Sequence, residues 1–297
     1  MKKIGLALGG GSAKGCAHIG VIKALEEHDI PVHMVAGTSI GALIGGVYAS
    51  GNLHKLEELA TKINWQLILK HLDLAFPRQG VMSGKRVNKF LEDLLETEKI
   101  EDLKIPYCAV ASDIKTATEV QFRSGNAVEA IRASISLPGI FTPIAHGDQL
   151  LTDGGLVNPL PINVLRDMGA DMVIAVDLNH GTNRLISDIE NETSIKKDDS
   201  FFEQIKNHYE EASQSVKEKI REWTKADEPA MFDLLGWSIN IMQDQITQKN
   251  LKEYPAEILL RPDLGHIRGV DFHKAEEMIE IGYEIAMGQM EGIKELC

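Results

Sequence analysis

His33-Met34-Val35-Ala36-Gly37-Thr38-Ser39-Ile40-Gly41-Ala42-Leu43-Ile44-Gly45-Gly46-Val47 is the stretch on which the reading of this chain turns. A short apolar run leads into Gly-x-Ser-x-Gly, and small and apolar residues at helical spacing lead out. The order reads strand, sharp turn, helix. A serine at the apex of such a turn is pushed out of the sheet with its hydroxyl exposed, and Gly37 and Gly41 flank it where strand and helix backbones nearly touch. A serine that merely N-caps the helix gives the same five letters. The strand before and the helix after favour a nucleophile at Ser39.

Upstream, Ile4 to Leu8 is nearly all apolar, as in a buried parallel strand, and empties into Gly9-Gly10-Gly11-Ser12-Ala13-Lys14-Gly15. A helix follows through Ile19, Val21, Ile22 and Leu25. Glycines between a strand and a helix expose backbone N–H groups that can cradle an anion or an oxyanion. Two nucleotide motifs fail here. A Walker loop needs Lys and then Ser or Thr after its last glycine, but Cys16 and Ala17 follow Gly15; the dinucleotide pattern begun at Gly9 meets Lys14 where its third glycine belongs. Downstream, Leu150-Leu151-Thr152-Asp153-Gly154-Gly155 holds an acid at a strand end, although Asp-Gly is by itself an ordinary turn.

Further strands are expected at Tyr107 to Asp113, Thr118 to Phe122, Ala170 to Asp177 and Ile258 to Leu260. Helices are expected at Leu53 to Leu69, Lys85 to Leu95, Ala127 to Ala133, Asn158 to Met168 and Met231 to Leu251, and a closing helix N-capped by Asp271. Phe76 to Gly80 is a turn-rich connector. This alternation, with the special residues at strand carboxyl ends, argues for a doubly wound α/β sheet with its site along that edge. Residues 182–230 differ, with 20 charged side chains in 49 and no glycine. Within them Phe202, Ile205, Tyr209, Ala212, Val216, Ile220 and Trp223 form one apolar stripe, suited to packing on the domain or to bordering an acyl site. The organisation expected is a core over 1–181, a charged helical insertion or lid over 182–251, and a closing strand and helix over 252–297.

The 297 residues are 43% apolar and 25% charged, enough for a real core. A net charge of −13 argues against a nucleic-acid partner and against simple attraction to anionic lipid, so any peripheral membrane contact must be hydrophobic or local. Cys16, Cys108 and Cys297 suit a reducing compartment, by default the cytoplasm. Ile4 to Leu8 is too short for a secretory core, and no window offers the roughly 18 apolar residues of a spanning helix. Ten histidines without His-x-x-x-His spacing, and no Cys-x-x-Cys, imply no metal, and no other cofactor is called for.

Three signals together, the glycine loop, the elbow serine and the Asp-Gly-Gly, make the chain resemble the patatin-like phospholipases. The matching residues are Leu8 to Gly15, Gly37 to Gly41, Ala133-Ser134-Ile135-Ser136-Leu137-Pro138-Gly139-Ile140-Phe141 and Asp153 to Gly155. The likeness runs over about residues 4–178. One departure is Ser12, where many members carry glycine. The resemblance implies a three-layer α/β/α fold with a mainly parallel central sheet and a helical C-terminal insertion. It also implies a lipid or small ester substrate, as for a phospholipase A, lysophospholipase or esterase. Ser39 would be the nucleophile, Asp153 its base, and the N–H groups of Gly10 and Gly11 the oxyanion hole. Gly9, Gly15, Gly37, Gly41, Gly154 and Gly155 would support these motifs.

Two other readings stand beside this one. An α/β-hydrolase triad would run Ser39, Asp153, His180, but that fold spends several strands before its nucleophile and here one precedes the elbow strand. A binding or regulatory protein that kept the fold and lost catalysis would also keep the core pattern.

Overall fold

A computed structural model describes residues 2–62, 84–181 and 231–296. Its centre is β1 (Ile4–Leu8), five residues buried along their whole length. β1 runs parallel to β2 (Met34–Thr38) on one side and to β7 (Met172–Val176) on the other. β3 (Tyr107–Asp113) extends the parallel set beyond β2, and β8 (Ile258–Leu260) extends it beyond β7. The chain thus leaves β1 in one direction through β2 and β3 and returns on the other flank, which puts a topological switch point at the carboxyl end of β1.

Two strands, β4 and β6, run against this set. β4 (Thr118–Phe122) pairs with β3 over Ala109 to Asp113 and so takes one edge of that strand. β6 (Gln149–Asp153) pairs with Ala111 to Asp113 on the edge left over, beyond the point where Thr38 of β2 ends opposite Val110. β2 and β6 therefore point at each other along one edge of β3, carboxyl end to carboxyl end. β5 (Ile144–His146) hairpins onto β6 and has no counterpart in the sequence expectations.

Side chains alternate between two apolar layers, as strand geometry demands. Leu6, Leu8, Val35, Ile174, Val176 and Leu260 face α1 (Cys16–Glu27), α2 (Ile40–Ser50) and α8 (Ala275–Gly288). Ala7, Met34, Ala36, Val110, Val173 and Ala175 face α6 (Ile162–Asp167) and Leu251 near the end of α7 (Met231–Glu253). The fold is the three-layer α/β/α arrangement. The first layer also takes α3 (Leu53–Lys62), α4 (Lys85–Leu95) and α5 (Ala127–Ser134), and α9 (Met290–Leu296) ends the described chain. The expected helix beyond Lys62, the connector at Phe76 to Gly80 and the apolar stripe from Phe202 to Trp223 lie outside the described residues. No helix among the described residues is long and apolar enough to cross a membrane.

The closing helix differs at its start. Asp271 makes no capping bond; its carboxylate accepts the Arg268 N–H at 3.0 Å and the Arg268 guanidinium at 2.9 Å, and a short 3₁₀ turn over Phe272–Lys274 precedes α8. The arginine three residues back competes for the carboxylate before the helix N–H groups can.

α8 then crosses α1 with backbones touching. A methyl on Gly20 would fall on the Ile279 carbonyl oxygen, and one on Gly282 on the Ala17 carbonyl oxygen. Gly282→Ala should therefore cost about 1–3 kcal/mol by overpacking. Urea denaturation checks this; a loss under half a kcal/mol would show that the crossing relaxes freely.

Candidate active site

Ser39 stands between the last residue of β2 and the first of α2 with φ 57° and ψ −126°. A side chain in such a sparsely populated region costs about 1–3 kcal/mol and persists only where the surroundings impose it. The turn is tight because backbones interpenetrate: a methyl on Gly37 would fall on the Gly41 carbonyl oxygen, and one on Gly41 on the Leu8 carbonyl oxygen. Polar contacts then fix it. The Ser39 N–H donates to Ser134 Oγ at 2.8 Å, and Ser134 Oγ donates to the Val110 carbonyl at 2.6 Å. Thr38 Oγ1 donates to the Asn158 carbonyl at 2.8 Å. Ser39 itself is half-buried, so its hydroxyl stays reachable.

The head-to-head approach of β2 and β6 delivers Asp153 to that hydroxyl. Ser39 Oγ donates to Asp153 Oδ2 at 2.5 Å, and the Gly155 N–H donates to Oδ1 at 2.8 Å. The main chain of Asp153 is held on both sides, its N–H donating to the Ser136 carbonyl at 3.0 Å and its carbonyl accepting from Ser112 Oγ at 2.9 Å. Gly154 packs where a methyl would fall on the Val110 carbonyl oxygen. Asp153 is buried, and burial pushes its carboxyl up from 3.8 to about 6 against the opposing hydrogen bonds of Ser39 and Gly155; no charged side chain contributes.

The glycine loop runs beside the pair. A methyl on Gly10 would lie 3.5 Å from Ser39 Cβ, and Gly15 packs directly under Ile40, the residue after the serine. The loop differs from expectation at its amides. The Gly10 N–H donates to the Pro159 carbonyl at 3.0 Å and the Gly9 N–H to the Val176 carbonyl at 3.1 Å, so neither is free for a ligand. Ala13 N–H and Lys14 N–H are also bonded, to Gly269 and Gly11. Gly11 and Ser12 carry the loop amides that no hydrogen bond among the described residues engages. Ser12 adopts φ 51°, a left-handed conformation that glycine takes without cost.

Beneath the loop, His18 is fully buried, and its Nε2 donates to the Gly9 carbonyl at 2.8 Å. Burial lowers its pKa to about 4, which keeps the ring neutral. Lys14 is also buried, which lowers its pKa.

His180 is exposed in the turn after β7 and makes no hydrogen bond to Ser39 or Asp153. Several polar residues that build the site went unnoticed in the sequence: Ser112, Ser134 and Ser136 around Ser39 and Asp153, His18 under the loop, and Gln243 of α7 against Gly155. Ser134 and Ser136 lay within a recognised motif, but nothing in their spacing told which backbone group each would hold.

The burial of Asp153 has a consequence for stability. Between about pH 4 and 6 the folded chain holds a proton that the unfolded chain has released, so this group destabilises the fold as pH rises through that window. Asp153→Asn has no such charge to bury. Its stability relative to wild type should rise from pH 4 to pH 8, as read by urea denaturation at both; a constant difference would contradict the raised proton affinity.

A family model described as patatin-like phospholipase matches residues 6–166. An uncharacterized NTE family protein of Mycobacterium tuberculosis is 30% identical across 98% of this chain and 92% of its own length. Human patatin-like phospholipase domain-containing protein 6 is 30% identical across 95% of this chain, which spans 20% of that protein. Lysophospholipase NTE1 of Debaryomyces hansenii is 29% identical across 96% of this chain and 18% of its own length. With the matched stretch containing the elbow, the glycine loop and the Asp-Gly-Gly turn, the chain belongs to the patatin-like phospholipase family and is a lipid-hydrolysing enzyme.

Proposed function

We propose that this protein hydrolyses acyl esters of lipids, in the manner of a lysophospholipase, through a Ser39–Asp153 dyad and an acyl-enzyme. The observation that carries this reading is the direct hydrogen bond from Ser39 Oγ to Asp153 Oδ2 at 2.5 Å, with no imidazole between them. As Ser39 attacks the ester carbonyl, Asp153 takes its proton. The carbonyl oxygen becomes an oxyanion, to which the amides of Gly11 and Ser12 donate, joined by the Ile40 N–H at the start of α2. Each such donor is worth about 2.7–4 kcal/mol of barrier. Collapse breaks the bond to the alcohol, and Asp153 returns the proton to the leaving oxygen. Water then repeats the sequence on the acyl-Ser39 ester: Asp153 takes a water proton, hydroxide adds to the carbonyl, and Ser39 leaves with the proton restored.

Burial prepares Asp153 for this work, since an aspartate with its ordinary affinity would be a weak base at neutral pH. We further propose a cytoplasmic protein with peripheral membrane contact; Cys16 and Cys108, both unpaired, are consistent with a reducing compartment.

Ser39→Ala and Asp153→Asn should each lower kcat by about 10⁴-fold or more. A fluorophosphonate should label Ser39 in the wild type. Because the base must be unprotonated in the free enzyme, kcat/KM should rise with pH and level off above about 6. An Asp153→Asn variant within a few-fold of wild type would move the base elsewhere.

His180→Ala should change kcat/KM on a soluble ester less than threefold. If the folded variant lost as much as Ser39→Ala, the triad reading would replace the dyad.

A further inference from the structure

Gln243 of α7 is 5% exposed and reaches the dyad from outside the stretch that the family model matches. Its Oε1 accepts from Asn179 Nδ2 at 2.9 Å. Asn179 stands in the loop after β7, where Asp177 Oδ1 accepts its N–H at 3.1 Å and Arg261 Nε donates to Asp177 Oδ2 at 3.1 Å. That anchored donor orients the carboxamide. With the oxygen turned to Asn179, Nε2 turns to the catalytic turn: a methyl on Gly155 would fall on it, and one on Gly10 would lie 3.9 Å from Oε1. Among the described residues Nε2 has no acceptor. An amide held in place by one end, whose Nε2 bonds to no described residue yet is not sealed away from the site beside the reacting pair, can donate to an oxygen that a substrate supplies.

The side of the site identifies which oxygen. Asp153 must return the serine proton to the leaving oxygen, so the alcohol half of the ester lies on the Asp153 side of Ser39. The carbonyl oxygen turns the other way, to the loop amides. Gln243 Nε2 sits against Gly155, whose N–H is bonded to Asp153, and hence on the alcohol side. Resting on the Ser39–Asp153 reading, we propose that Gln243 is a specificity-determining residue whose Nε2 donates to an oxygen of the alcohol half of the substrate, a glycerol hydroxyl or a phosphate oxygen.

The test compares kcat/KM on three esters with one acyl chain: a phenyl ester, a monoacylglycerol and a lysophosphatidylcholine. In Gln243→Leu the ratio of glycerol ester to phenyl ester should fall about tenfold, the value of one hydrogen bond. A fall for both glycerol esters assigns a hydroxyl, and a fall for lysophosphatidylcholine alone assigns the phosphate. Equal losses on all three esters, or no loss, would overturn the proposal. Gln243→Glu, of the same size and without donors, carries the same ratio should the leucine variant not fold. Fluorophosphonate, whose leaving group is fluoride, separates the two readings. If it labels Ser39 in these variants while the ratio is unchanged, only the role of Gln243 fails; if it does not label the wild type, the dyad itself fails.

Discussion

The Ser39–Asp153 hydrogen bond depends on one constraint of sheet geometry, that an interior strand has two edges and each residue on an edge accepts one partner. β4 fills one edge of β3, and β2 stops at Val110 on the other. β6 can enter only where β2 has ended, and its opposite direction brings its last residue against the end of β2. Two residues 114 apart in sequence thereby meet at 2.5 Å. A parallel strand in the same place would have turned its carboxyl end away.

Backbones must then approach closely around this meeting point. Gly37 and Gly41 let α2 leave β2 at once, and Gly154 lets the acid turn sit against β3. The positive φ of Ser39 is the cost of that geometry, and the chain Ser39 N–H to Ser134 Oγ to Val110 carbonyl helps hold it by giving the strained amide a buried partner. Val110 thus serves both sides of the Ser39–Asp153 hydrogen bond: its carbonyl accepts from Ser134 and packs against Gly154.

Much of this was legible from residue types, for a physical reason. Strain and close approach leave glycines behind, and glycines at fixed offsets from a serine can be read without a structure. Short, continuous apolar runs gave away the buried strands in the same manner. Hydrogen-bond partners leave no such trace. Ser112, Ser134 and Gln243 are single polar residues on a strand or helices of ordinary pattern, and their importance comes from where distant elements place them. The Gly10 amide shows the reverse case: the glycine was recognisable, but its N–H is taken by Pro159, a partner 149 residues away that no local pattern reveals. β5 was missed because three residues, one half-buried and two exposed, carry too little alternation to mark a strand.

Burial of the carboxylate ties stability to chemistry. Solvation of Asp153 would restore its ordinary proton affinity, and on the proposed mechanism would make it a poorer base, so the fold bears the desolvation of a charge above about pH 6. The same low-dielectric surroundings would strengthen the donors proposed to face the oxyanion, because a hydrogen bond gains electrostatic strength away from water. On the proposed mechanism, stability and reactivity are therefore opposed at this one residue. The apolar layers on both faces of the sheet, with α1 and α8 locked through Gly20 and Gly282, supply the rigidity that keeps a strained serine and a desolvated acid together.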